Sequence, residues 1–406
     1  MNIIIRLIFR TGRNCVWITL FFDMSIVNFL DKFRTDTSLK NMIFPLTSVE
    51  IIRNNRRIIF VDYNIKEGAS AIVKSRFGSC AKSVNIDRFS WKSSLDMAVI
   101  HFAPLQGYTD SVYREAHTRV FGGVDTYYTP FVRIEKGGFR NKDLKDIACD
   151  RNRQVHVVPQ LIASTPDEFR PIVRLFQENG YKEADINLGC PFPMQVRAHR
   201  GSGLLRYKEE AESLLRTIEE FPDISFSVKM RLGWECTDES FVLLSLLNKL
   251  PLKHITLHPR LGIQQYKGAI DWDGFSRFYD ECELPLYYNG DLVGLEDIRG
   301  IKERFPGLAG IMLGRGLLAS PWLATEFVSG QVLTVNERRD KLVMFHESLM
   351  DEYAARLEGG EHQVLSKMKT IWDYLLPEAD KRLRKKVLKS TSLTSYQSAV
   401  KDLLSL

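Results

Sequence analysis

The stretch Ala184-Asp185-Ile186-Asn187-Leu188-Gly189-Cys190-Pro191 runs from an apolar, strand-like segment straight into a polar turn broken by glycine and proline. The same pattern recurs along the chain. Including this one, strand-like runs fall at Val99–Ala103, Thr126–Thr129, Val155–Leu161, Ala184–Asn187, Phe226–Met230, His254–His258, Leu286–Asn289 and Gly310–Leu313, eight in all. Amphipathic stretches separate them, at Ser111–Phe121, Pro166–Asn179, Lys208–Glu220, Glu239–Lys249, Trp272–Cys282 and Leu295–Phe305. Strands alternating with helices imply right-handed βαβ units and a parallel sheet, and eight such units close most simply as a (β/α)₈ barrel. An open doubly wound sheet is disfavoured, because no G-x-G-x-x-G follows the first strand. After Pro321 the pattern is helical only, at Arg339–Arg356, His362–Leu376, Pro377–Lys389 and Ser395–Leu404. The expected fold is therefore an α/β TIM barrel over residues 97–325 and a small all-helical domain over 326–406.

Composition agrees with a folded core. The chain has 406 residues, 44% apolar and 26% charged, which excludes disordered, collagenous and purely coiled-coil proteins. Residues 1–96 carry 15 Lys+Arg against 8 Asp+Glu, leaving 41 against 42 for the rest, so the net charge of +6 belongs to the leader. Nucleic-acid binding by the body must then use local patches. The leader shows no sustained period of 2 or 3.6, and Met97 stands two residues before the first strand. We therefore expect residues 1–96 to lie outside the functional protein or to be a dispensable extension, with a basic RNA-binding arm as the alternative. Six cysteines without a C-x-x-C pair argue for a reducing compartment and against structural zinc. Apolar runs near the start fall short of the roughly 18 to 20 residues that cross a bilayer. The expectation is a cytoplasmic protein with no membrane association and no metal.

A barrel enzyme carries its reactive groups where strands end and loops begin. Those edges hold Pro104-Leu105-Gln106, Gln160, Asn187 and Cys190, Lys229 and Arg231, His258 and Arg260, Asn289-Gly290-Asp291, and Gly314-Arg315-Gly316. Singly, Lys229 reads as a snorkelling lysine, His258 as a core histidine and Asn289-Gly290 as a turn. Jointly they suit a planar, phosphate-bearing cofactor. Gly290, Gly314 and Gly316 let backbone N–H groups approach a phosphate, and Arg315 adds a fixed fork. FMN fits this description: the Lys229 ammonium would offset negative charge near N1 and O2, Gln160 can donate and accept at a heterocycle edge, and His258 could meet ring or phosphate. Cys190 reads either as a small buried hydrophobe or, from its loop position, as a general acid, since a thiol of pKa near roughly 8.5 is mostly protonated at neutral pH.

These residues resemble the flavin-dependent tRNA-dihydrouridine synthases. The resemblance is carried by Ala103-Pro104-Leu105-Gln106-Gly107-Tyr108-Thr109-Asp110 with Arg114, by Asp185 to Pro191, and by Val228-Lys229-Met230-Arg231-Leu232-Gly233. It continues in His258-Pro259-Arg260, Tyr266-Lys267-Gly268 with Asp271-Trp272, Asn289-Gly290-Asp291 and Gly314-Arg315-Gly316. It covers about residues 98 to 325. It implies reduction of the C5–C6 bond of particular uridines in tRNA, with FMN as hydride carrier and NADPH as reductant. By the same resemblance Cys190 protonates C5, and Asn187 holds the uracil. Flavin contacts would come from Gln160, Lys229, His258, Pro104–Gln106, Asn289–Asp291 and Gly314–Arg315.

The chain departs from the family pattern where Phe192-Pro193-Met194-Gln195 replace an early basic residue after Cys-Pro. It departs again where His258-Pro259-Arg260 replaces His-Gly-Arg, and in its leader. The segment Lys381–Lys389 holds six cations in nine residues. Such a run reads as a solvated helix face or as a tRNA backbone contact, and Arg384, Lys385 and Lys386 are the expected contacts. Lys367 and Lys369 could extend that surface, while Trp372 and Tyr374 read as helix core. The competing functions are a flavin reductase of a free pyrimidine and an RNA-binding scaffold without catalysis.

Overall fold

The computed structural model describes residues 99–405 apart from 149, 151 and 153, and before residue 99 it describes only five strands. Those strands, Ile3–Thr11, Asn14–Phe22, Leu46–Arg53, Arg56–Asp62 and Ile72–Val73, form an antiparallel sheet within a unit spanning Met1–Met97. The leader thus carries strands although its sequence shows no sustained period. Runs such as Ile3-Ile4-Ile5 and Val16-Trp17-Ile18 are rich in β-branched and aromatic residues without alternating, so they favour strands yet show no period of 2.

Residues Ala98–Leu406 form the second compact unit. Its strands are β1 (Val99–Phe102), β2 (Thr126–Tyr128), β3 (Val157–Val158, resumed at Gln160–Leu161), β4 (Glu183–Leu188), β5 (Ser225–Arg231), β6 (Leu252–His258), β7 (Leu286–Asn289) and β8 (Gly310–Leu313). All pair in parallel, in the order β3-β2-β1-β8-β7-β6-β5-β4-β3. The sheet ends are the two halves of β3, so the order returns to its start as a barrel. Pro159 causes the break, because it has no N–H to donate to the ladder. Its carbonyl still accepts the Asp185 N–H at 3.0 Å, and Val132 bridges to Leu161 beyond it.

Each crossover helix presents an apolar stripe to the sheet. The expected helices are present as α1 (Ser111–Val120), α2 (Pro166–Glu178), α3 (Lys208–Arg216), α4 (Asp238–Leu247), α5 (Trp272–Glu281) and α6 (Leu295–Arg304). Asp110 caps α1 by accepting the Tyr113 N–H at 3.1 Å, and Thr165 caps α2, whose first residue is Pro166. One large apolar core lies between strands and helices, and a second, smaller cluster of Ala103, Tyr128, Val158 and Met312 is separate from it. An unanticipated hairpin, Ile134–Glu135 with Gly138–Phe139, follows β2; Lys136 and Gly137 both have positive φ, the tight turn that matches strand twist.

The tail comprises α7 (Val335–Arg356), α8 (Gly360–Thr370), α9 (Lys381–Lys389) and α10 (Leu393–Leu404). It shares the main core with the barrel. Against α1, Phe345 meets Tyr113 edge-on at 5.2 Å and Arg356 pairs with Glu115 at 3.0 Å. At the cap of α1, Asp110 accepts from Tyr353 Oη at 2.9 Å and pairs with Lys367 at 2.8 Å. No helix among the described residues is long and apolar enough to cross a membrane.

Candidate active site

The C-terminal ends of the strands open into a cavity of about 1140 Å³. Of the residues singled out in the sequence, all those on the strand edges line it except Gln160 and Arg260; Arg384, Lys385 and Lys386 lie outside it on α9. Gln160 sits one layer back, fully buried, in a continuous polar chain. Ser227 Oγ donates to Asp185 Oδ1 at 2.6 Å, and Gln160 Nε2 donates to Asp185 Oδ2 at 2.7 Å. Asn187 Nδ2 then donates to Gln160 Oε1 at 2.7 Å, while Asn187 Oδ1 accepts the N–H groups of Gly189 at 3.0 Å and Cys190 at 2.8 Å. Register makes the chain possible, since Gln160 pairs with Asp185 across β3 and β4. Burial pushes the Asp185 carboxyl up to about 6, against the pull of its Ser227 and Gln160 hydrogen bonds.

The turn at Cys190 is clamped from the far side as well. Ser202 donates to the Cys190 carbonyl through both its N–H and its Oγ, each at 3.0 Å. Gly201, at φ +60°, is required here: a Cβ would stand 2.6 Å from that carbonyl oxygen. Arg231 Nε holds the Gly189 carbonyl at 3.0 Å. Burial pushes the Cys190 thiol above its ordinary value, which outweighs the opposing pull of the Phe192 backbone and the Arg231 and Lys229 charges. The sulfur therefore keeps its proton at neutral pH.

Positive groups converge on the same wall. Lys229 makes no hydrogen bond or salt bridge among the described residues, and burial, reinforced by Arg231, lowers its ammonium to about 8. His258 accepts from Arg260 Nη1 at 3.3 Å, and burial together with the nearby Arg231, Lys229, Arg260 and Arg315 charges keeps it neutral. Asp291 binds Arg260 and, at 2.9 Å, Arg315, so it orients two guanidinium forks. Asn289 Nδ2 donates to the Met312 carbonyl at 2.7 Å and ties the ends of β7 and β8.

The family profile described as Dihydrouridine synthase (Dus) matches residues 101–404. The chain belongs to the dihydrouridine synthase family. It is 28% identical over 240 residues to a tRNA-dihydrouridine(16) synthase of Pseudomonas putida, a match covering 57% of this chain and 74% of that protein. It is 24% identical over 225 residues to tRNA-dihydrouridine synthase B of Pasteurella multocida, covering 55% and 67%. Among solved structures, morphinone reductase aligns at a TM-score of 0.42 and 11% identity, covering 58% of this chain and 87% of that one.

In this family member the cavity also takes residues that sequence reading missed. Arg133, Arg140 and Lys142 reach it from around the hairpin after β2, and Asp373 and Tyr374 from the helical tail. The first group left a trace, four cations in residues 133–142; the second left none. Tyr108 Oη donates to Asp373 at 2.9 Å, and its ring meets Tyr374 edge-on at 5.0 Å. Tyr374 is thus at the rim rather than in a helix core, whereas Trp372 is fully buried and donates to Tyr396 Oη at 2.8 Å. Lys367 and Lys369 are tied internally, to the Gly107 and Ser390 carbonyls at 2.7 and 3.0 Å. Among the described residues no group of three or more His, Cys, Asp or Glu could hold a metal ion.

Proposed function

We propose that this protein reduces the C5–C6 bond of a uridine in tRNA, with FMN in the barrel cavity, NADPH as reductant and Cys190 as proton donor. The observation that carries the reading is a thiol that burial keeps protonated, facing the same cavity as an ammonium with no hydrogen bond or salt bridge among the described residues. A reactive cysteine nucleophile would need a lowered pKa; a general acid needs the reverse.

The residues present fit FMN. The Lys229 ammonium makes no hydrogen bond or salt bridge among the described residues, and Gly290, at φ +152°, leaves open a place where a Cβ would come within 3.2 Å of His258 Cδ2. When bound, the flavin supplies the hydride. Lys229 would hold the polar edge of the ring, neutral His258 would stand beside it, and Arg315 would take the phosphate. Asn187 fixes the Cys190 turn so that Sγ delivers its proton to the neighbouring carbon. Residues 97–325 act as the catalytic barrel, and residues 326–406 orient the tRNA, with exposed Lys385 among its contacts.

Mapping dihydrouridine in tRNA from cells with and without the protein tests the reading directly. Loss of the modification at a defined position is expected. Unchanged tRNA, with activity on free uracil or orotate, would replace it by a free-pyrimidine reductase, and a colourless, inactive protein would leave only RNA binding.

A further inference from the structure

Two neighbouring segments at the cavity mouth have surfaces that the site described so far leaves unused. Phe192 and Met194 follow Cys190 closely and are each 58% exposed, an unusual outlay for adjacent large apolar side chains. Phe192 lines the cavity and, with Pro193, Met194 and Arg197, also lines a second depression outside it. In the other segment, residues 133–143 hold four cations and two carboxylates. Arg133 pairs with Glu135 at 3.0 Å and Arg140 with Asp143 at 2.8 Å, but Lys142 is exposed and has no hydrogen bond or salt bridge among the described residues. All three cations line the cavity, and Arg133 lies near enough for its charge to act on the Cys190 thiol.

The two segments are joined. Arg200, at the end of the stretch that follows Cys190, donates to the Ile134 carbonyl of the hairpin at 3.3 Å and to Glu168 at 3.0 Å. An aromatic face and a surplus of positive charge are therefore held together at the edge of the reaction site. That pairing is complementary to single-stranded nucleic acid, in which bases offer π-faces and the backbone offers phosphates. A protein partner would be matched by the apolar pair but not by the cations.

We infer that this edge grips the RNA next to the target: Phe192 stacks on a base adjoining the uridine, and Lys142, flanked by Arg133 and Arg140, holds the phosphate beside it. The inference rests on the tRNA reading of the site. A uridine that reaches Cys190 must leave its stack, which uncovers the face of its neighbour. Phe192, outside the wall that holds Cys190, covers that face, and the charge beside it fixes the strand's register.

The test uses the full-length holoenzyme, fluorescently labelled unmodified tRNA transcript, and the variants Lys142→Gln, Phe192→Ala and Phe192→Trp. Both positions are exposed, so unchanged melting temperatures accompany the binding measurements. Phe192→Ala is expected to weaken tRNA binding by at least roughly fivefold, and Phe192→Trp to restore most of it. Lys142→Gln is expected to lower the slope of log K against log salt by about one, with flavin reduction by NADPH unaltered. Wild-type affinity and salt slope in Phe192→Ala and Lys142→Gln would overturn the inference. So would slowed flavin reduction in Lys142→Gln with tRNA binding intact, which would assign the phosphate to the dinucleotide. If the wild-type protein itself neither binds nor reduces tRNA, the underlying reading fails instead.

Discussion

The Cys190 backbone N–H donates to Asn187 Oδ1 at 2.8 Å, and Asn187 in turn donates to Gln160 at 2.7 Å. Asn187 therefore positions the proposed proton donor in addition to facing the cavity. Asn187→Ala frees the turn and leaves the buried Gln160 Oε1 without its donor. A loss of about 1–3 kcal/mol in urea unfolding is expected. Flavin content and reduction by NADPH should hold while tRNA reduction slows; a parallel loss of flavin reduction would make Asn187 a flavin contact instead.

The Cys190 thiol, pushed up by burial, sets the direction of the pH profile. In the proposed function its proton-bearing form is the active one, and that form persists through neutral pH. Single-turnover reduction of tRNA should be level from about pH 6 to 8 and fall only above the ordinary thiol range near roughly 8.5. Cys190→Ala should slow that step by about 10²–10⁴ while leaving flavin reduction by NADPH intact. A rate that instead rises with pH through this range would identify a thiolate.

Much of the barrel is legible in the sequence because each parallel strand is a short apolar run ending in polar loop residues. Leu286–Asn289 and Gly310–Leu313 are found with the expected bounds, and the broken third strand could have been read from Pro159. The polar chain behind the cavity was not readable. It depends on which residues of β3 and β4 lie side by side, and register is a property of the closed sheet. Arg133 and Lys142 were missed for a similar reason: a loop's composition can be read locally, but its place over the mouth is set by tertiary packing.

Lys229 gives a prediction whose sign differs between the cofactor-free and loaded protein. Burial and Arg231 lower its ammonium to about 8, below the roughly 10.4 of an unfolded chain, so charging it opposes folding. Cofactor-free stability should climb as pH rises from about 8 to about 10.4. Lys229→Met should remove that dependence and stabilise the cofactor-free protein at pH 7 by no more than about 3 kcal/mol, because the group faces an open cavity. The same variant should lose flavin. A destabilised cofactor-free variant would show that the ammonium has a partner.

The floor of the barrel holds His101, stacked on Tyr287 at 4.3 Å, with Tyr128 Oη 3.0 Å from His101 Nδ1 and 3.3 Å from His254 Nε2. Burial drives His101 down to about 2 and His254 to about 4; Lys253 and His156 push His101 the same way and Glu183 opposes them. The unfolded chain binds protons below about 6.5 that the fold refuses, so stability is full above that pH and falls as pH drops toward about 4. Each histidine contributes about 1.4 kcal/mol per pH unit. Urea midpoints measured from pH 7 to 5 should decline, and His101→Phe should make the decline shallower by about one proton. An unchanged slope in that variant would rule out His101 as a source.

On α9 the residues expected to touch tRNA divide into two kinds. Arg384 donates to the carbonyls of Trp372 and Leu376, and Lys386 pairs with Asp402 at 2.5 Å, so both serve the packing of the tail. Lys385 is exposed, and Lys381 and Lys389, one turn away on either side, are exposed too, which puts three cations in one stripe at i, i+4 and i+8. Arg384→Ala should lower thermal stability, costing about 1–3 kcal/mol for carbonyls left without a donor, with little change in the salt dependence of tRNA binding. Replacing Lys381, Lys385 and Lys389 together by Ala should do the reverse: melting unchanged, and a slope of log K against log salt reduced by about 2 to 3. If the slope does not move, the stripe is a solvated helix face and the phosphates are held elsewhere.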